Sequence, residues 1–130
     1  CGADCNGTIV AAAPGLVAQQ LPEPASFKAA AMRYANTYEG AYGPKTLTQF
    51  SANAWDSGVL LEQAIPVALK SAKPADRKAF SAALRDALEG LKNVPAAGGV
   101  YTMTPTEHNG LDEQGVVLVE IVNGDWKLLK

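Results

Sequence analysis

The longest hydrophobic pattern in the chain runs from Phe50 to Ala72. Ala54, Gly58, Leu61, Ile65, Ala68 and Ala72 recur there at three- and four-residue steps, and Ala52, Trp55, Val59 and Pro66 fall on the neighbouring helical face. The polar remainder, Asn53, Asp56, Ser57, Gln63 and Lys70, is narrow and is interrupted by Leu60 and Val67. So wide an apolar arc predicts a helix wedged between other elements and not a surface helix. Thr46 and Gln49 have the spacing of a capping box at its start. Pro66 cannot donate to the helical ladder and predicts a kink near residues 62 to 66.

The other elements follow from the same patterning. Thr8 to Ala13, TIVAAA, closed by Pro14 and Gly15, reads as a buried strand. After a Pro-punctuated link, Ala25 to Tyr42 places Phe27, Ala31, Tyr34, Tyr38 and Ala41 on one face of an amphipathic helix, with Arg33, Asn36 and Glu39 opposite. Gly40 and Gly43-Pro44 end it. Lys73-Pro74 separates the central helix from a third at Ala75 to Leu91, with Pro74 at a first helical position and a stripe of Phe80, Leu84, Ala87, Leu88 and Leu91. From Asn93 the pattern changes: Pro95, Gly98 and Gly99 predict a loop, and Val100 to Thr104 a strand. A polar turn from Pro105 to Gly115 leads to Val116 to Val122, VVLVEIV, whose continuous apolar character predicts a strand covered on both faces. Asn123-Gly124 then predicts a hairpin with Trp126 to Leu129 as the return strand.

With 130 residues the chain is one domain of ordinary size, able to bury about two thirds of its unfolded surface. A net charge of -2 gives no electrostatic reason to bind nucleic acid or an anionic membrane, since both rely on clustered Lys and Arg. No basic segment followed by an apolar one opens the sequence, so no signal peptide is expected in it; a mature or trimmed chain would look the same. The two cysteines, Cys1 and Cys5, stand at a spacing that a local disulfide can bridge, the alternative being two neighbouring free thiols. Two thiolates leave a zinc ion under-coordinated, and no metal site is expected.

Candidate chemistry is sparse. Glu107, His108 and Asp112 could form an acid/base or ligand cluster, but a polar, Gly-containing turn predicts solvated side chains. Gly40, Gly43, Lys45 and Thr46 have the wrong spacing for a phosphate loop, and Pro44 removes a backbone donor that such a loop needs. Asn6-Gly7-Thr8 fits a glycosylation sequon, a frequent chance pattern. Asp56 is read as ordering nearby backbone and not as a nucleophile. No nucleophile, base and orienting group stand at recognisable spacing, so an enzyme is not expected.

Taken in succession, GTIVAAAP, Tyr38-Glu39-Gly40-Ala41-Tyr42-Gly43, Ala54-Trp55-Asp56-Ser57, AFSAALRDALEGL, Gly99-Val100-Tyr101 and HNGLDEQGVVLVEIVNGDWKLL resemble the C-terminal part of a type 1 periplasmic substrate-binding protein. That family serves ABC importers of branched-chain amino acids and related aromatic acids. Trp55-Asp56-Ser57 stands where the family often has Tyr-Asp-Ala, a departure that keeps the aromatic bulk and the carboxylate.

The resemblance implies a partial α/β periplasmic-binding-protein fold, ordered strand, three helices, strand and C-terminal β-hairpin. It implies a truncated unit in which residues 8–13 and 116–130 belong to one lobe and 16–111 to the other. The implied function is capture, without chemistry or cofactor, of a branched-chain amino acid or related small organic acid in the periplasm, with an ABC permease as partner. Phe50 is expected to form an apolar wall of the ligand cleft, or else to pack in the core; Gln49 is a second candidate contact, or completes the capping box. The competing expectation is a self-sufficient α+β interaction module that has lost ligand binding. Apolar helix faces without their sheet predict that the isolated chain forms a homo-oligomer.

Overall fold

The computed structural model describes residues 2–23 and 25–129. Strand β1 (Ile9–Ala12) leads through a 3-10 segment (Pro14–Gln20) to helices α1 (Lys28–Tyr42), α2 (Gln49–Ala68) and α3 (Arg77–Glu89). Strands β2 (Val94–Ala96) and β3 (Gly99–Tyr101) form a short hairpin, and β4 (Val117–Val122) and β5 (Asp125–Leu128) form a second. The expected order of strand, three helices, strand and C-terminal hairpin is present, with β2 added. Pro95 and the glycines after it pointed to a loop, yet a two-strand ribbon tolerates Pro95 in an edge position.

Helix α2 organises the core through the neighbouring side of the predicted apolar arc, where Ala52, Trp55 and Val59 pack inward, and through Ala68, but not through Ala54, Gly58, Leu61 and Ile65. The buried file is Ala52, Asp56, Leu60, Ala64 and Ala68, a strict four-residue repeat. Ala52 joins a cluster with Ala18, Phe27, Ala31, Tyr34 and Ala97. Leu60 packs with Leu91, Val94, Ala96 and Tyr101, and Ala64 and Ala68 pack with Ala87 of α3. Small side chains let the neighbouring backbone approach closely: a Cβ placed on Gly15 would lie 3.1 Å from both the Ala52 Cβ and the Ala97 carbonyl. Conversely, Ala54 and Gly58 of the predicted face are exposed, and Leu61 and Ile65 are 37% and 38% exposed.

The ends of the helices shift for local reasons. Thr48, not Thr46, caps α2: its hydroxyl accepts from Ser51 N–H at 3.0 Å, and Ser51 Oγ accepts from Thr48 N–H at 3.1 Å. The Thr46 hydroxyl instead donates to Gly43 O at 2.7 Å. Pro66 lies in the last turn of α2, which runs through it as one element. Asp76 caps α3 by accepting from Ala79 N–H at 3.0 Å, so Pro74 precedes that helix instead of opening it.

Strands β1, β4 and β5 form one antiparallel sheet in that spatial order, β1-β4-β5. Asn123 and Gly124, with φ of 53° and 81°, make the turn predicted for the β4–β5 hairpin. The sheet face carrying Ala12 and Val119 packs on Leu16 and Val17 of the 3-10 segment. On the other face Ile9 and Leu118 lie open to solvent, Leu118 at 53%. The expectation that this strand is covered on both faces therefore fails for the described residues: one face has no partner element. Gln20 closes the β5 edge, its side-chain amide donating to Trp126 O and accepting from Leu128 N–H, both at 2.8 Å.

The asymmetry of α2 is directly testable in the 130-residue chain. Ala54→Gln, on the exposed side of the helix, is expected to move unfolding free energy by no more than about 0.5 kcal/mol, as exposed substitutions do. Ala64→Leu, overfilling the buried file, should cost about 1–3 kcal/mol. Urea denaturation measures both, and the reverse order would show that the wrong face has been taken as buried.

Candidate functional site

Asp56 enters the interior from the middle of α2, is 1% exposed, and is directed at the turn between β2 and β3. Its Oδ1 accepts from Ala97 N–H at 2.7 Å, and its Oδ2 accepts from Gly98 N–H at 2.8 Å and from the Tyr101 hydroxyl at 3.0 Å. Buried N–H groups without a carbonyl partner need such an acceptor. Gly98 fits because a Cβ there would lie 2.8 Å from Oδ2. Burial raises the Asp56 carboxyl above its ordinary value, against the opposing pull of the three donors. Burial and the adjoining carboxylate push the Tyr101 phenol up as well.

This latch forms the floor of an open cleft of about 540 Å³. The end of β1 (Ala11–Ala13) lies on one side of it and the first turns of α2 on another. The segment after β3 closes the third side through His108, Asn109 and Leu111. Gln49, Asn53 and Ser57, at four-residue steps, set a polar stripe of α2 along the cleft. Among the described residues, Asp56 is the sole Asp, Glu, Lys or Arg in its lining, and its oxygens are engaged by the hairpin.

The residues singled out in the sequence are placed unequally. Gln49 lines the cleft and takes no part in the cap. Phe50, its neighbour, is 83% exposed, which rules out core packing, and it is not among the cleft's lining residues. His108 lines the cleft and meets Glu89 of α3, Nε2 to Oε1 at 3.2 Å, but not Glu107 or Asp112. Those two carboxylates order backbone instead, accepting from Asn109 N–H at 2.7 Å and Gln114 N–H at 2.9 Å. Cys5 carries no free thiol; Cys1, the other half of the expected pair, lies outside the described residues. No group of three His, Cys, Asp or Glu suited to a metal ion occurs among the described residues.

Comparison with solved structures gives the architecture a context. An extracellular ligand-binding receptor from Rhodopseudomonas palustris superposes with a TM-score of 0.91 at 34% identity, over 99% of this chain and 36% of the receptor. A second receptor of that species gives 0.84 at 38% identity, over 98% of this chain and 35% of its own. A periplasmic binding protein type 1 from Bordetella pertussis, at 21% identity and a TM-score of 0.66, shares the fold. This is part of a type 1 periplasmic-binding-protein fold. The chain spans about a third of the length of these structures. No protein-family model and no curated protein matches it.

Asp56 orders backbone, as its sequence reading expects, but that of Ala97 and Gly98, 41 and 42 residues away. Its place in a polar stripe does not predict its burial, for which the signal is an Asp at four-residue steps from Ala52, Leu60 and Ala64. Asn53 and Asn109 carry no such signal, because amides in a helix and in a polar turn look solvated. Asp56→Ala strands two buried N–H groups and a hydroxyl and should cost about 3 kcal/mol or more, whereas Tyr101→Phe removes one bond and should cost about 1 kcal/mol. Since the folded carboxyl is raised, its stabilising contribution is largest below the ordinary carboxyl range and declines as pH rises through the elevated value. The stability gap between wild type and Asp56→Asn is therefore expected to narrow with rising pH, measured by urea titration across the acid range; a gap widening with pH would contradict this.

Proposed function

We propose that this chain is one part of a two-lobed, extracytoplasmic receptor that captures a small organic solute without altering it. The observation carrying the reading is an open polar-and-apolar cleft flanked by two bare apolar surfaces, the Leu61–Ile65 side of α2 and the Ile9–Leu118 side of the sheet. Uncovered apolar surface of this kind marks an interface to further structure. Likeness to about a third of extracellular ligand-binding receptors supports the same conclusion.

In this reading residues 8–13 and 116–130 belong to one lobe and 16–111 to the other. The chain crosses between lobes beside Gly15 and again near Gly115. Closure about such crossings encloses the ligand, and the closed form is what a membrane permease of the ABC importer class recognises. The solute is a branched-chain amino acid or a related aromatic acid, met in the periplasm. Phe50, exposed at the start of α2 beside Gln49, contributes an aromatic contact to the closed cleft. Separated from the covering elements, the 130 residues self-associate through their bare faces.

The test is binding by the protein purified from its native host, at whatever length it occurs there. Equilibrium dialysis against branched-chain amino acids and small aromatic acids should show one ligand per protein, recovered unchanged by mass spectrometry. Residues 1–130 alone should bind at least about 100-fold more weakly, a loss of about 2.7 kcal/mol. Equal affinity in the short chain, or a ligand returned chemically altered, would overturn the proposal.

A further inference from the structure

The cleft wall has a polar character of its own. Among the described residues, the side-chain amides of Gln49, Asn53 and Asn109 all line the cleft and form no hydrogen bond within the protein. The Ser57 hydroxyl, in the same stripe, donates to Asn53 O at 3.0 Å and so retains acceptor capacity only. His108, from the facing segment, is tied to Glu89 through Nε2. Asp56 has no exposure to offer a ligand cation, and no Lys or Arg lines the cleft to meet a ligand anion.

A charged group brought here would lose water without gaining an opposite charge, an uncompensated desolvation. A hydrocarbon group would leave three exposed amides facing it without partners and cut off from solvent. A hydroxyl, carboxamide or carbonyl can both give to and take from amides, which present a donor and an acceptor each. We infer that the stripe Gln49–Asn53, together with Asn109 across the cleft, selects a ligand whose portion lying against this wall is uncharged and hydrogen-bonding. The inference rests on the receptor reading and narrows its solute to an organic acid or amino acid bearing a neutral polar group, whose charged end is held elsewhere; a branched-chain amino acid, with its wholly hydrocarbon side chain, is disfavoured against this wall.

Matched probes test it on the protein purified from its native host: L-threonine against L-valine, 4-hydroxybenzoate against benzoate, and L-glutamine against L-glutamate. Asn53→Leu and Asn109→Leu, made in the same host, are measured alongside, with thermal midpoints to confirm that each folds. The expected result is that the neutral polar member of at least one pair binds about tenfold or more tightly than its counterpart, the discrimination that an unpaired buried polar group supplies. One or both variants should reduce that ratio towards unity. Tighter binding of the hydrocarbon or charged members, or a ratio unmoved by both variants, would overturn the inference while leaving the receptor reading in place. Binding of no member of any pair would overturn both.

Discussion

A carboxylate withdrawn from water is tolerated only where donors replace its hydration, and Asp56 finds three of them on a single short hairpin. The dependence runs in both directions. The turn between β2 and β3 exposes the N–H groups of Ala97 and Gly98 to the interior, where α2 is the element that can reach them. Once the helix is held there, its four-residue file sets Ala52 against the α1 cluster, Leu60 against the hairpin, and Ala64 and Ala68 against α3. One polar contact thereby fixes the rotation of a helix that apolar spacing alone leaves undetermined, since α2 is hydrophobic over most of its circumference.

That rotation has a cost and a use. Turning Asp56 inward turns Leu61 and Ile65 outward, and the sheet is likewise covered on one face and bare on the other. It also aims Gln49, Asn53 and Ser57 into the cleft beside the β1 end and the returning segment before β4. Structural support and the polar wall of the cleft are thus adjacent stripes of one helix. Substitutions on the cleft stripe can change the chemistry of that wall without disturbing the buried file.

Periodicity of two and of 3.6 made the order of elements legible, and Asn123-Gly124 located the C-terminal turn, because positive φ at both positions is a local requirement. Strand β2 was not legible: Pro95 argues against a strand, and what holds β2 is the partner strand and the core beneath Val94 and Ala96. The buried face of α2 was legible only in part, for a similar reason: Ala52 and Ala68 are buried as expected, whereas Leu61 and Ile65 are not. Hydrophobic spacing identifies where apolar residues lie but not which of two apolar arcs meets the chain's own core. Asp56 decides that, and its burial depends on donors 41 and 42 residues away. The succession of motifs carried the fold resemblance, whereas the cleft depends on residues from three separated segments and could be assembled only in three dimensions.

The most direct measurement of the central claim is amide hydrogen exchange at Ala97 and Gly98, resolved residue by residue. If the Asp56 carboxylate holds these two turn amides, they exchange only through global unfolding, at rates matching the buried positions of α2, and become fast in Asp56→Ala. Exchange at the rate of the exposed His108 amide in the wild-type chain would contradict the account.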